Sequence, residues 1–275
     1  MVIVIQCSDK VGLVAAVSNV LANNNINIVS MREHVDTDNG RFFLRIETAG
    51  EEPVVSLATQ LKHVLPDEAM VSINPLPEKK IIVLVTKEHH CLSDILIRNH
   101  FKILGATIQC VIGNHHVMQD ICQRFDIPFH LISHENSSKE DFESALLTVI
   151  NHYKADYLVL AKFMRILSPA FVEKFPMRII NIHHSFLPAF IGANPYKQAY
   201  ERGVKLIGAT SHFVTNDLDE GPIICQQIIP VTHSFTTRDM VRAGKEIETA
   251  VLAKALHLVF EDRVLVHGNK TVVFE

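Results

Sequence analysis

Apolar and polar residues alternate along the first 75 positions in a pattern that predicts a small domain of order βαββαβ. The predicted strands are Val2 to Gln6, Ile26 to Val35, Phe42 to Thr48 and Met70 to Ile73, and the predicted helices are Gly12 to Ala22 and Val54 to Leu65. Ser8 or Asp9 is expected to cap the first helix, because short polar side chains accept hydrogen bonds from free helix N–H groups. Asp38-Asn39-Gly40 predicts a hairpin, since these residue types tolerate positive φ.

The pattern changes after residue 80. Segment 74–80 contains two prolines and charged residues without apolar periodicity, which is typical of a linker. Ile81 to Val85 is a continuous apolar run, as expected for a strand that is covered on both faces. Helical and strand patterns then alternate, and the elements predicted there include a strand over Tyr157 to Leu160 and helices over Leu92 to Ile103, Lys139 to Tyr153 and Pro169 to Lys174. Two successive strands, a long helix and a hairpin at Gly268-Asn269 close the chain. We therefore predict an α/β protein with a ferredoxin-like domain over residues 1–75. An open, mostly parallel, doubly wound sheet is predicted over residues 80–275.

Composition restricts the kinds of partner and the compartment. The formal net charge of -4 gives no global attraction for nucleic acid or an anionic membrane surface. The five cysteines are widely spread and include no C-x-x-C pair, so neither a disulfide framework nor a zinc ribbon is indicated. No apolar stretch approaches the length of a bilayer span. The expectation is a soluble cytoplasmic protein that binds neither nucleic acid nor membrane.

Candidate chemistry lies at the end of the strand predicted for Ile179 to Ile182. Asn181 and His183 are two residues apart, so on a strand their side chains project to the same face. The segment SHFVTNDLDEGP, from Ser211 to Pro222, adds Asp217, Asp219 and Glu220 in a loop between two predicted strands. An amide donor, an imidazole and a carboxylate suffice for acyl transfer to water: Asp219 would orient the water, while Asn181 and His183 stabilise the oxyanion. The alternative is that these polar residues are ordinary solvated loop positions.

Several motifs in the same order carry a resemblance to a known family. They are FMRILSPAFV from Phe163, RIINIHHSFLP from Arg178, GANP from Gly192, GAT from Gly208 and DLDEGPIICQ from Asp217. Together they resemble the formyltransferase family that uses 10-formyltetrahydrofolate. The resemblance implies the roles given above for Asn181, His183 and Asp219. It also implies that the folate is bound by Met164, Arg165, Ile166, Leu167, Gly192 and Asp217. Without it, Met164, Ile166 and Leu167 would be interpreted as core.

The loop after the first strand of the second domain separates two activities. Family members that formylate glycinamide ribonucleotide carry a glycine-rich loop there, whose N–H groups hold the phosphate. This chain has TKEHHCLSD from Thr86 and no glycine, and with the ending VLVHGNKTVVF it is similar to the deformylases of the family. The resemblance implies hydrolysis of 10-formyltetrahydrofolate, which supplies formate for purine synthesis and balances folate pools. The alternative is formyl transfer to an amine acceptor.

The same loop supplies candidate residues for the acceptor side, namely Lys87, His89, His90 and Cys91, although it could equally serve only to cap the next helix. His184 alternates to the strand face opposite His183, which favours a structural role. Adjacent histidine pairs do not have metal-ligand spacing, so no metal is predicted. No cofactor is expected beyond the folate substrate.

The N-terminal segments CSDKVGL from Cys7 and NINIV from Asn25 resemble ACT domains, which bind small ligands at subunit interfaces. The resemblance implies an effector such as glycine or methionine, with Asp9, Gly12 and Asn25 as candidate ligand residues. The N-terminus of the first helix favours a carboxylate. The alternative is a domain that only joins subunits into a homo-oligomer.

Overall fold

The computed structural model describes residues 1–49, 54–74, 78–189 and 195–275. The chain forms two compact units. The first comprises Met1–Pro77, Leu258–His267 and Thr271–Glu275, and the second comprises Glu78–His257 and Gly268–Lys270. Among the described helices, none combines the length and the apolar character that a bilayer span requires.

The first unit is a four-stranded antiparallel sheet with two helices, and it confirms the predicted βαββαβ order. The elements are β1 (Val2–Ser8), α1 (Leu13–Asn23), β2 (Ile28–Asp36), β3 (Arg41–Thr48), α2 (Val54–Val64) and β4 (Met70–Asn74). The strand order is β2-β3-β1-β4. Ile5 and Leu44 from the sheet and Leu21 and Leu61 from the helices share one core, because the strands turn alternate residues toward the helices.

Capping of α1 differs from the prediction. Its N-cap residue is Gly12, which has φ 90° and makes no side-chain capping bond. Ser8 is still part of β1, and the Asp9 N–H donates to the Gly40 carbonyl at 2.8 Å. The chain therefore turns into α1 through the conformational freedom of glycine instead of a polar side chain. At the predicted hairpin, Gly40 has φ 58° and joins β2 to β3.

The C-terminal segment groups with the first unit, although sequence analysis assigned all of 80–275 to the second domain. Its strands are β12 (Val264–His267) and β13 (Lys270–Val273). Phe43 of β3 forms a buried cluster with Leu265 and Phe274. The buried Arg45 guanidinium donates to the carbonyls of Glu261 at 2.8 Å and Asp262 at 3.1 Å. These contacts hold the end of the chain on the N-terminal sheet.

The second unit confirms the predicted doubly wound sheet. Its seven strands have the order β11-β10-β9-β8-β5-β6-β7, in which β5 to β9 are parallel and β10 and β11 are antiparallel. The strands are β5 (Lys79–Val85), β6 (Ala106–Gly113), β7 (Phe129–Leu131), β8 (Tyr157–Leu160), β9 (Ile179–His183), β10 (Leu206–Phe213) and β11 (Ile223–Pro230). The helices are α3 (His90–His100), α4 (Gln119–Arg124), α5 (Lys139–Tyr153), α6 (Pro169–Val172), α7 (Pro195–Arg202) and α8 (Thr237–Phe260).

The strand order positions the site. From β5 the chain moves outward through β6 and β7, and it then returns to the other side of β5 with β8 and β9. The connections that leave the carboxyl ends of the neighbouring strands β5 and β8 therefore run in opposite directions, and such switch points leave a crevice beyond the sheet. Three local predictions needed correction. Helix α3 ends at His100 instead of Ile103, and Lys102, two residues later, has φ 59°. Helix α6 ends at Val172 instead of Lys174, and helix α7 was not predicted.

Candidate active site

A cavity of about 350 Å³ lies at the carboxyl ends of β8 and β9, within the second unit. It contains the three candidate catalytic residues, Asn181, His183 and Asp219. Its wall comprises residues 162–167 after β8, 181–184 at the end of β9, His212 of β10, and residues 214–219. Distant segments of the sequence thus converge on one concave site.

Asp219 reaches the cavity because the loop after β10 folds back tightly. The Phe213 N–H donates to the Pro222 carbonyl at 2.9 Å, which closes the loop at its base. A Cβ on Gly221 would lie 1.8 Å from the Phe213 carbonyl oxygen, so only glycine fits there. Asp219 itself has φ 58°, a conformation that aspartate tolerates better than most residues. The Asp-Glu-Gly-Pro sequence is what aims this carboxylate at the histidines.

The Asp219 carboxylate lies between two imidazoles. Its Oδ2 is 3.3 Å from Nδ1 of His183, and its Oδ1 is 3.6 Å from Nε2 of His212. Burial of the carboxyl group favours its neutral form, but hydrogen bonds and charge from His183 and then His212 outweigh burial and hold the pKa of Asp219 well below its ordinary value. Asp219 is therefore ionised at neutral pH. Nε2 of His183 is buried and has no hydrogen-bond partner in the described part of the chain, which leaves it free for a ligand.

His212 determines how the Asn181 amide is presented. Nδ1 of His212 lies 2.9 Å from the Phe213 carbonyl, so it carries a proton and donates it there. Nε2 of His212 lies 3.2 Å from Nδ2 of Asn181 and 3.6 Å from Oδ1 of Asp219, so the ring contacts both side chains. The Asn181 amide is thereby held in the cavity wall, where it can donate an N–H to a ligand oxygen. His212 was not predicted as a site residue.

His184 lines the same cavity, contrary to its predicted place on the opposite strand face. Strand β9 ends at His183, so the alternation of side chains does not extend to the next residue. The two rings stack with centroids 5.0 Å apart and planes inclined by 29°. Burial, and then the nearby charges of Lys162 and His183, lower the pKa of His184 to about 4, so its ring is neutral at pH 7.

This lowered pKa makes a testable prediction about stability. The unfolded chain binds a proton at residue 184 near the ordinary histidine pKa of about 6.5, whereas the folded chain does so only near 4. Stability from a neutral His184 is therefore present above pH 6.5 and is lost as the pH falls toward 4, by up to about 3 kcal/mol. We expect urea unfolding to show this extra loss in the parent protein and not in His184→Phe.

The exposed His233 provides the control. His233→Gln should follow the parent protein from pH 7.5 to 4.5, while His184→Phe should have a flatter dependence. Parallel curves for the parent and His184→Phe would show that residue 184 does not carry this linkage.

The loop predicted to contact the folate forms one wall of the cavity. Met164, Arg165, Ile166 and Leu167 all line it, and Met164 and Ile166 are exposed rather than core. Leu167 is buried and also belongs to the core under the sheet. Asp217 lines the cavity as well, while Gly192 lies outside the described residues.

Two anchors hold this loop. At its start, the Met164 N–H donates to the Thr86 hydroxyl at 2.9 Å. At its end, the buried Glu143 accepts from the Ser168 N–H at 2.6 Å and also from the Ser168 hydroxyl. The exposed apolar side chains are thereby presented on a fixed backbone, as a binding surface for a flat ring requires.

The four candidate acceptor-side residues do not line the cavity. Lys87 and His89 are exposed, and Cys91 lies in the first turn of α3 with 1% of its surface exposed. His89 occupies the N-cap position of α3 without a side-chain capping bond, so the capping alternative is not realised either. His90 turns inward, and its Nε2 lies 2.8 Å from Oε2 of Glu248 on α8.

His90, Cys91 and Glu248 place potential metal ligands within 4.8 Å of one another. However, the Lys162 ammonium already lies 3.2 Å from Oε2 of Glu248. Burial, and then the Glu248 charge, raises the pKa of the Cys91 thiol far above its ordinary value, so a thiolate is disfavoured. The group suits a buried ion pair better than a bound cation.

The structure separates the candidate effector residues of the first unit. Gly12 is at the N-terminal end of α1 and Asp9 precedes it, whereas Asn25 follows the C-terminal end. An 11-residue helix is about 16 Å long. Within one copy of the chain, Asn25 therefore cannot share a small ligand with Asp9 and Gly12.

Comparisons with known proteins agree with the fold and show the family. A formyl transferase family model matches residues 79–256, and an ACT domain model matches residues 1–65. A formyltetrahydrofolate deformylase of Escherichia coli is 48% identical over 267 residues, which are 97% of this chain and 95% of that relative. The crystal structure of a formyltetrahydrofolate deformylase from Pseudomonas syringae matches this chain with a TM-score of 0.94 and 40% sequence identity. The match covers 100% of this chain and 94% of the chain in that structure.

The second unit alone has wider similarity. The crystal structure of glycinamide ribonucleotide transformylase 1 from Symbiobacterium toebii has a TM-score of 0.69 and 31% identity, and covers 72% of this chain and 95% of its own. The match to deformylases, in contrast, extends through both units and is closer in sequence. The chain belongs to the formyltetrahydrofolate deformylase family, with an ACT domain preceding a formyl transferase domain.

Proposed function

We propose that this protein hydrolyses 10-formyltetrahydrofolate to formate and tetrahydrofolate. The observation that carries the proposal is the convergence of Asn181, His183 and Asp219 on one cavity, in a chain whose relatives are named deformylases over nearly its whole length. Such a reaction supplies formate for purine synthesis and balances one-carbon folate pools. The exposed Met164 and Ile166 and the neighbouring Arg165 provide the folate-binding wall, together with Asp217.

In this mechanism the formyl carbon lies between Asp219 and the amide of Asn181. Asp219, ionised at neutral pH, orients a water molecule by accepting one of its protons in a hydrogen bond. As the water oxygen bonds to carbon, the carbonyl oxygen gains negative charge. An N–H of Asn181 and Nε2–H of protonated His183 donate to that oxyanion. Asp219 also stabilises the positive charge on His183 through Nδ1, at 3.3 Å.

Collapse of the tetrahedral species completes the reaction. The bond between the formyl carbon and N10 breaks, and a proton that came from the water ends on N10, which gives formate and tetrahydrofolate. The chemistry requires neither a covalent enzyme intermediate nor a cofactor beyond the folate. The rate enhancement comes from placing three groups around one carbon, because fixed charges and hydrogen-bond donors do not have to reorganise as the transition state forms.

An acceptor-free assay tests the function. Purified protein with 10-formyltetrahydrofolate in buffer without amines should release one formate for each tetrahydrofolate formed. Turnover that appears only after an amine is added would instead support the alternative, a folate-dependent formyltransferase. The similarity of the second unit to a glycinamide ribonucleotide transformylase is the observation in favour of that alternative.

The first unit is proposed to regulate this activity and to join subunits. The match to an ACT domain supports a small amino acid such as glycine or methionine as effector, and Asp9 and Gly12 at the start of α1 would receive its carboxylate. Repeating the formate assay with added glycine or methionine tests this part. The five cysteines, all in the described part of the chain, are not paired in disulfides, which supports the expected cytoplasmic location.

A further inference from the structure

A buried carboxylate, Glu248, accepts from three side chains that come from different parts of the second unit. The Lys162 ammonium lies 3.2 Å from Oε2, His90 Nε2 lies 2.8 Å from the same oxygen, and the Tyr196 hydroxyl donates to Oε1 at 2.6 Å. Lys162 is 8% exposed and Glu248 is 1% exposed. We call these four residues the Glu248 network.

The network is fitted into the fold. A Cβ on Gly244, one turn before Glu248 on α8, would lie 2.1 Å from Cζ of Tyr196, so glycine makes room for that ring. Lys162 has φ 61°, a strained conformation for a lysine, at the position where the chain leaves β8. Burial favours the neutral form of Glu248, but His90 and then Lys162 outweigh burial and lower its pKa. A charge buried this deeply is tolerated only when it is paired and hydrogen-bonded.

One member of the network, Lys162, also lines the catalytic cavity. Lys162 is part of the cavity wall together with His183 and His184. The His184 ring stacks on His183, its centroid is 6.3 Å from that of Tyr196, and the Lys162 charge acts on it. The Lys162–Glu248 ion pair is therefore connected to the cavity through Lys162, close to His183 and His184.

We propose that Lys162 is a specificity-determining residue that restricts the acceptor to water. Its ammonium fills one end of the cavity, and it is already paired with the Glu248 carboxylate that an amine acceptor would need. This inference rests on the proposed hydrolytic function. In transfer, an amine nitrogen bonds to the formyl carbon, the bond to N10 breaks and an amine proton ends on N10. In hydrolysis the water oxygen takes the place of the nitrogen.

Three physical effects of Lys162 act in the same direction. The side chain removes volume beyond His183, so a molecule larger than water has less room. Its positive charge repels a protonated amine, and this repulsion is strong where water is excluded. It also binds the buried carboxylate that could otherwise accept N–H hydrogen bonds from an incoming amine. As an ammonium, Lys162 has no lone pair and cannot itself take the formyl group.

The test measures how turnover divides between water and a small amine. The parent protein and Lys162→Gly are given 10-formyltetrahydrofolate with glycinamide, and formate and N-formylglycinamide are quantified by mass spectrometry. Glycine suits the positive φ of residue 162, so the backbone is not strained by the change. We expect formate alone from the parent protein, and from Lys162→Gly an amount of N-formylglycinamide at least tenfold above the detection limit of the assay.

Two variants provide controls. Lys154 is also in the left-handed conformation, with φ 50°, but lies at the C-terminal end of α5 away from the cavity, so Lys154→Gly should divide products as the parent does. Lys162→Arg keeps the positive charge and should also give only formate. Circular dichroism verifies that each variant is folded.

The outcomes separate the two proposals. Two results would refute the role of Lys162 while hydrolysis stands. In one, the parent protein releases formate and folded Lys162→Gly forms no more N-formylglycinamide than the parent does. In the other, the parent protein releases formate and also forms N-formylglycinamide itself. If the parent releases no formate, the proposed function fails and this inference fails with it. Should Lys162→Gly not fold, Lys162→Gly with Glu248→Gln removes both charges but keeps an amide oxygen that accepts an amine N–H, and the product ratio is measured on that variant. Failure of both to fold, with Glu248→Gln alone folded, would assign Lys162 a purely structural role.

Discussion

Replacing Asp219 with Asn is expected to lower kcat for formate release by about 10³-fold or more, equivalent to about 4 kcal/mol of transition-state stabilisation. Asparagine matches the size of aspartate but lacks the charge that orients water and stabilises positive charge on His183. KM should change by less than about threefold, because uniform substrate binding is carried by other residues of the cavity wall. Steady-state formate assays across substrate concentrations separate the two parameters.

Glu220→Gln is the matched control for this substitution. It removes one carboxylate from the next position of the same loop, but Glu220 is exposed and is not part of the cavity wall. Its kcat should stay within about twofold of the parent, as expected for a surface change. A comparable loss of kcat in both variants would mean that loop charge in general, and not the Asp219 contact with His183, carries the effect.

Much of the fold could be predicted from apolar periodicity because the relevant signals are local. The bounds of α5 and β8 agree with the prediction, since a polar first turn with Ser138 capping and a short apolar run mark them clearly. Helix α7 was missed because its sequence, PYKQAYER, is mostly polar. Of the helix side chains whose burial is described, those of residues 196–202, Tyr196 and Ala199 are buried, which is too few to form an apolar stripe.

The candidate site was only half predictable for a similar reason. Asn181 and His183 could be paired through the two-residue spacing of a strand. His212 could not, because it lies opposite Asn181 only through the antiparallel register of β10 with β9. Glu248 is 158 positions from His90 and 52 from Tyr196, so no local pattern links them. Such contacts depend on strand order and helix packing, which single-sequence periodicity does not encode.

A double-substitution experiment should show that Asp219 and His183 act as one unit. His183→Ala is expected to lower kcat by about 10³-fold, because it removes the donor whose Nε2 faces the cavity. If Asp219 acts chiefly through His183, then Asp219→Asn in the His183→Ala background has little left to remove. The double variant should therefore be within about tenfold of the worse single variant, whereas independent effects would multiply to about 10⁶-fold.

Asn181 supplies the contrasting pair, because its amide contacts His212 and, in the proposed mechanism, donates to the oxyanion through its own N–H. Combining Asn181→Ala with Asp219→Asn should lower kcat well beyond either single substitution, by at least about tenfold more than the worse one. Single-turnover formate release, with folding of each variant verified by circular dichroism, measures both cycles. Multiplicative losses for His183 with Asp219 would contradict the mechanism, since the 3.3 Å contact between Nδ1 and Oδ2 would then not couple the two groups.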